Sequence, residues 1–150
     1  MSFSADNGGF PFSCEDAKFS ICASTWNTRL SQIGKIPGAI RIMTHGLPDP
    51  DYIAKIFAKR PDNIYVIANA DACAEARMIK AQFPSVRIVL HPKMNAKVVF
   101  VEPETVWISS SDFGYTKLIE SAVGFHSVGL HNRAIENLFN VEWQNSIEIF

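Results

Sequence analysis

The sequence predicts an α/β sandwich in which a mixed central sheet is flanked by helices, and three observations carry that expectation. The runs 64–68 and 86–90 are short and almost wholly apolar, the composition of strands covered on both faces. Before and between them lie stretches whose apolar residues recur at helical spacing, each closed by a proline, so strand and helix alternate through crossover connections. After residue 91 the alternation gives way to two β-rich segments joined by Glu102-Pro103-Glu104, a short polar link that suits a hairpin.

Taken in order, residues 1–16 are rich in Ser, Gly and Asp and form an irregular N-terminal segment, ahead of one domain over 17–150. Residues 18–23 alternate as a strand. Ser24 or Thr25 can cap a helix carrying Trp26, Leu30 and Ile33, which Pro37 closes. A strand follows at 39–43. Asp49 can cap the next helix, with Pro50 at its first position and Tyr52, Ile53, Ile56 and Phe57 on one face; Pro61 ends it. The strand 64–68 leads to a third helix, with Asp71 near its cap, Ala74, Met78, Ile79 and Phe83 near one stripe, and Pro84 as its stop. A strand at 86–90 and hairpin strands at 96–101 and 105–109 come next. A short helix about 117–121, a strand at 123–128 and a final helix marked by Ala134, Ile135, Leu138 and Phe139 complete the chain.

Composition narrows the function. The chain has 150 residues, 47% hydrophobic and 19% charged, an ordinary globular balance. Its net charge of -1 sets up no global field for nucleic acid or membrane, so phosphate binding needs a local group of cations. Cys14, Cys22 and Cys73 are scattered and odd in number, which reads as free thiols in a reducing compartment. Residues 1–12 lack the basic and apolar regions of a signal peptide, and no apolar run approaches the length of a membrane span. A cytoplasmic protein is the simplest expectation. Four histidines without paired spacing, and no cysteine cluster, point to no metal and no cofactor.

The informative stretch is Asn95-Ala96-Lys97, then Glu102, then Ser109-Ser110-Ser111-Asp112-Phe113. On strands, residues two apart share a face, so position 95 and Lys97 project together, and a second hairpin strand can bring Ser110 and Asp112 to the same end. This spacing resembles the signature of the phospholipase D and nuclease superfamily. There a histidine precedes a lysine by two residues, an aspartate follows five later, and a Gly-Ser-x-Asn stretch lies beyond. Asn95 falls at the histidine, Lys97 matches the lysine, and Glu102 replaces the aspartate. Ser109 replaces the glycine, Ser110 matches the serine, and Asp112 replaces the asparagine. The resemblance covers roughly residues 38–143 and is strongest to the short, single-motif bacterial endonucleases.

The resemblance implies a phospholipase D-like fold and a site built from Asn95, Lys97, Glu102, Ser110 and Asp112, with Lys97 and Ser110 holding the phosphate. In the family the histidine attacks phosphorus and a second histidine protonates the leaving oxygen, two chains sharing one site across a two-fold axis. Asparagine can do neither job, because its carboxamide does not titrate near neutrality. Asp112 would add a negative charge beside the phosphate. An acidic residue often follows the family's motif on the next strand; Glu120 aligns poorly with it and the nearer alignment gives Ala122.

The expectation is therefore a catalytically degenerate nuclease-like domain, most readily a homodimer, that binds nucleic acid or a protein partner and no membrane. One alternative is an active, metal-independent phosphodiesterase using a displaced histidine: His91 just before the motif, His45 after a strand, or His126. Another is an inhibitor protein that pairs with an active relative. Each histidine also has a plainer reading: His91 and His45 as loop residues, His126 as a half-exposed strand residue, His131 as solvated near a helix start. Lys55, Lys59 and Arg60 read mainly as helix-end cations. Trp107 alternates against Val106 and Ile108 and, if exposed, would mark a partner surface.

Overall fold

The computed structural model describes residues 3–22 and 25–150. Ala23, Ser24 and the Cys22 thiol, which figure in the expectations above, lie outside what it describes. Among the described residues eight strands form one sheet in the order β1-β7-β6-β5-β2-β3-β4-β8. They are β1 Ala17–Cys22, β2 Ile40–Thr44, β3 Ile64–Asn69, β4 Arg87–His91, β5 Val98–Val101, β6 Thr105–Ser109, β7 Glu120–His126 and β8 Ile147–Ile149. Strands β2, β3 and β4 run parallel and every other pairing is antiparallel. The sheet is mixed and the protein is an α/β sandwich.

Alternation along the strands divides the core in two. Ile42, Val66, Ile88 and Val99 face a first layer of Trp26, Ile53, Phe57 and Ile79. Their neighbours Met43, Ile67, Val89 and Phe100 face a second layer of Leu130, Ala134, Ile135 and Phe139. Each such side chain, withdrawn from water, contributes about 1.5–3 kcal/mol before the entropy cost of ordering the chain. The apolar runs at 64–68 and 86–90 are uninterrupted because both of their faces are covered.

Helix α2 (Pro50–Phe57) starts as its residues dictate: the Asp49 carboxylate accepts from the Tyr52 N–H and Pro50 occupies the first turn. The first helix is shorter than its spacing suggests. Thr25 caps α1 (Trp26–Arg29), which stops after one turn, and a 3₁₀ turn follows at Ile33–Lys35. Ser31 and Gly34 are poor helix formers, yet Trp26, Leu30 and Ile33 are all buried, so the spacing reported burial rather than a continuous helix.

Helix α3 (Cys73–Gln82) is rotated from its expected orientation. Ala74 and Met78 face solvent, Met78 being 59% exposed, while Ala72, Ala76 and Ile79 meet the core with Phe83 packed beside them. Small alanines let the helix lie close to the sheet, and the larger Met78 is left outside.

The expected helix at 117–121 is absent. That backbone is claimed by the sheet: Ser121 N–H donates to the Ser110 hydroxyl at 3.0 Å, and Glu120 opens β7 opposite Cys22. Strand β7 accordingly begins before 123 and ends at His126, because the Ser127 hydroxyl accepts from Leu130 N–H and caps α4 (Val128–Ala134). That helix runs on through a π-helical turn, Ile135–Phe139, into α5 (Asn140–Gln144). His131 falls on its inner face, 2% exposed against Phe100, and is not solvated.

Strand β8, which the sequence pattern did not announce, is held by a forked pair. Arg87 donates from Nε to Glu148 Oε2 at 2.9 Å and from its terminal nitrogen to Oε1 at 2.7 Å. The hydrogen bond from Arg87 holds the Glu148 carboxyl below the usual carboxylate range. A carboxyl so lowered contributes stability above its unfolded pKa and loses it as pH falls through the folded value. Arg87 is half-exposed, so Glu148→Gln is expected to cost less than about 1 kcal/mol in urea unfolding at pH 7. The difference from wild type should begin to shrink as pH falls past about 4.3, the unfolded glutamate value, and vanish only below the lowered folded one.

Candidate functional site

Strands β2, β3 and β4 all end at one edge of the sheet, at Thr44, Asn69 and His91. Antiparallel neighbours bring three more termini there: the start of β5, the end of β6 and the start of β7. The segments 92–97 and 109–112 therefore meet outside the carboxyl ends of the parallel strands, where open α/β sheets hold ligands.

Strand ends leave backbone groups without ladder partners, and buried polar side chains take them up here. The Thr44 hydroxyl accepts from Phe113 N–H at 2.9 Å and lies 2.7 Å from the Gly46 carbonyl and 3.2 Å from Asp112 Oδ1, either of which can take its one proton. Asp112 Oδ1 also accepts from His45 N–H at 3.1 Å, and the Asp112 carbonyl accepts from the Trp26 indole at 3.0 Å. Asn69 donates to the Met94 carbonyl at 2.9 Å and so ties the segment bearing Asn95 across the end of β3. Gly114 lets the chain pass Pro48; a Cβ there would stand 2.0 Å from the Pro48 carbonyl oxygen.

The structure brings Asn95, Lys97, Ser110 and Asp112 to this edge. Asn95 is exposed, in the turn after β4. Lys97 is half-buried, and its carbonyl accepts from Ser109 N–H at 3.0 Å, which carries the β5–β6 pairing one residue beyond the strands. The same extension sets Lys97 opposite Thr44. Among the described residues, neither the Asn95 nor the Lys97 side chain forms a hydrogen bond or ion pair. Ser109 and Ser111 hydroxyls lie 3.0 Å apart. The Ser110 hydroxyl donates to the Glu120 carboxylate and accepts from Ser121 N–H. Glu120, which aligns poorly with the acidic residue that often follows the motif, thus lies beside Ser110 at this edge.

Glu102 lies elsewhere. It stands at the far end of β5, about 16 Å along the strand from Lys97. There its carboxylate accepts from Ala39 N–H and from Arg41, both at 3.0 Å. That geometry clamps the hairpin to the start of β2.

Three of the four histidines are committed. His91 accepts from Lys93 N–H at Nδ1 (3.0 Å), so its proton sits on Nε2 and is given to Glu142 at 2.7 Å. His126 bonds Asp16 at 2.9 Å at the opposite end of β7, and His131 is buried. His45 alone lies at the site edge with an exposed ring, 4.0 Å from Asp71. Beside it a cleft of about 310 Å³ is lined by Asp49, Asp71, Glu75 and Asp112. Four carboxylates make this cleft repel an anion. Among the described residues no group of three His, Cys, Asp or Glu could hold a metal ion. No described helix is long and apolar enough to cross a membrane.

The basic end of α2 is not a free patch. Lys59 donates to Asn27 at 2.7 Å and Arg60 is buried. Trp107 is half-buried, lying over Gly124 with the Arg29 guanidinium 5.7 Å from its ring, and is no open partner surface.

Neither a family model nor a curated protein matches the sequence. Solved structures do. A phospholipase D family member, Nuc from Salmonella typhimurium, superposes with a TM-score of 0.71 at 19% identity, over 89% of this chain and 99% of that one. NucT from Helicobacter pylori gives 0.69 at 14%, over 89% and 100%. TrmBL2, described as an archaeal chromatin protein with a novel mode of DNA binding, gives 0.62 at 13%, over 90% of this chain and 54% of that one. The likeness is one of fold: the chain has the phospholipase D and nuclease superfamily fold.

Two substitutions test these hydrogen bonds. Thr44→Val strips Phe113 N–H of its acceptor and should cost about 2 kcal/mol in urea unfolding. Glu102→Ala strips Ala39 N–H of its acceptor at the far end of β5 and should cost about 1–3 kcal/mol in the same assay.

Proposed function

We propose that the chain is a catalytically silent phospholipase D-like domain that grips a phosphate of nucleic acid, or of a protein partner, without cleaving it. The observation that carries this reading is the unpaired Lys97 ammonium at the site edge, flanked by the Ser109–Ser111 hydroxyls and by an exposed carboxamide where the resemblance calls for a nucleophile. Lys97 supplies the charge. The Asn95 amide can donate to a phosphoryl oxygen but cannot accept the phosphoryl group or deliver a proton. Ser110 reaches a phosphate by releasing Glu120, whose own charge opposes an anion and weakens binding. Nucleic acid ranks ahead of a protein ligand because one structural neighbour, TrmBL2, is described as a chromatin protein with a novel mode of DNA binding, and because the motif resemblance runs to single-motif endonucleases. A cytoplasmic homodimer is the setting this reading assumes. The segments 1–16 and 17–150 are its lead and its single domain.

The test is a pair of measurements on wild type, Lys97→Ala and Asn95→His. Anisotropy with labelled single-stranded DNA at low salt should show binding that Lys97→Ala weakens roughly tenfold. Wild type should give no turnover of DNA or bis(p-nitrophenyl) phosphate with EDTA present. Turnover by Asn95→His alone would mark the rest of the site as intact. Turnover by the wild type, abolished by His45→Ala, would replace this reading with that of an active phosphodiesterase using the one accessible histidine at the edge.

A further inference from the structure

We infer that the cavity between the second face of the sheet and the α4–α5 helices binds a medium-chain carboxylate, with its tail along the sheet and its carboxylate against Arg133. The inference is independent of the phosphate reading. Ala96 and Val98 line this cavity, while Lys97 between them turns to the opposite face, where it sits across from Thr44.

The cavity has a volume of about 390 Å³, within the range of small-molecule sites. Its floor is a cross-strand row, Met43–Val98–Ile108, carried by β2, β5 and β6, with Phe100 and Val106 in the next row. Three neighbouring strands make that row about 10 Å long. It starts at Met43, buried under the helices, and ends at Ile108, which is 43% exposed, so it runs from a covered end to an open one. Leu130, Ala134 and Leu138 of the helical layer form one wall. Phe10 and Phe12 form the other, from the irregular N-terminal segment, where Phe12 meets Phe125 edge-on at 5.1 Å.

The lining and its rim decide what fits. An apolar floor of this length suits an extended hydrocarbon chain. Among the described residues two polar side chains border the cavity, Asn137 and Glu142. Glu142 is taken by His91 Nε2 at 2.7 Å, which leaves the Asn137 carboxamide to meet a ligand. Arg133 stands one helical turn before Asn137. It is exposed, and its guanidinium lies 4.2 Å from the ring centroid of Phe10, so a cation stands at the rim against one wall. Among the described residues Arg133 forms no hydrogen bond or ion pair, and a guanidinium fork matches the two oxygens of a carboxylate. An apolar cavity with one cation and one amide at its rim selects a molecule with an apolar body and a single anionic end. Asn137 and Leu138 belong to the π-helical turn Ile135–Phe139, a departure from α-helix that recurs at functional sites.

Calorimetric titration of the full chain with sodium decanoate, below its micellar range, reads the result. Wild type should bind one decanoate per chain in the micromolar range. Octanoate, with two methylenes fewer on the floor, should bind about tenfold more weakly. Arg133→Ala should weaken decanoate about fivefold and leave 1-decanol unchanged, as expected for an exposed, screened pair. Leu138→Trp places an indole in the cavity and should abolish binding of both, with unchanged circular dichroism. Lys97→Ala should bind decanoate as wild type does. Absence of saturable binding by wild type, or binding that survives Leu138→Trp, overturns the site. Decanoate held equally by wild type and Arg133→Ala overturns the carboxylate end. Decanoate binding lost in Lys97→Ala overturns the inference by moving the anion to the phosphate edge.

Discussion

The requirement that backbone polar groups at the ends of buried strands find partners shapes this protein more than any other. Three parallel strands stop along one line under helical cover, and water cannot reach all of their last amides and carbonyls. Thr44, Asn69, His91 and Asp112 answer that need. Thr44 and Asp112 lock the loop after β2 to the segment after β6, and the Trp26 indole closes the same knot from the helical layer. Asn69 and His91 hold the turn that carries Asn95. The edge where a ligand can be gripped is the edge where the scaffold must spend its polar side chains.

That double duty explains the electrostatics of the site. Asp112 is not a loose anion beside a phosphate; its Oδ1 is held by Thr44 and by the His45 amide. Glu120 is engaged by Ser110. Lys97 has no such engagement, and on the proposed reading it provides the attraction. On the same reading the carboxylates of the neighbouring cleft would keep an anion to the Lys97 side, where one lysine without a nucleophile would supply a weak, screened grip.

The motif spacing placed Asn95, Lys97, Ser110 and Asp112 at one edge because it is set by strand geometry, and strand geometry is local. Glu102 satisfied the same spacing yet belongs to the opposite end of β5, where five residues of extended chain carry it; the spacing says how far apart residues lie and not which end is the site. Glu120 is harder to read from the sequence: it aligns poorly with the motif, and the helix expected over 117–121 draws attention from it further. Residues 117–121 have the composition of a short helix, but Glu120 and Ser121 pair with Cys22 and Ile21 of β1, far back along the chain, and Ser121 N–H meets the Ser110 hydroxyl, which draws that end into β7.

What the sequence determined by itself were the properties carried by neighbours along the chain. Two-residue alternation produced the strands and the two faces of the sheet, prolines followed the ends of α2 and α3, and Asp49 with Pro50 started α2. Tertiary structure decided whatever depends on a partner elsewhere. Which stripe of α3 turns inward was decided by how closely Ala72 and Ala76 let it approach the sheet. The burial of His131 was decided by Phe100, and the existence of β8 by Glu148 meeting Arg87 on β4. Local periodicity states that a residue wants cover or a hydrogen bond; only the packed chain supplies the group that answers.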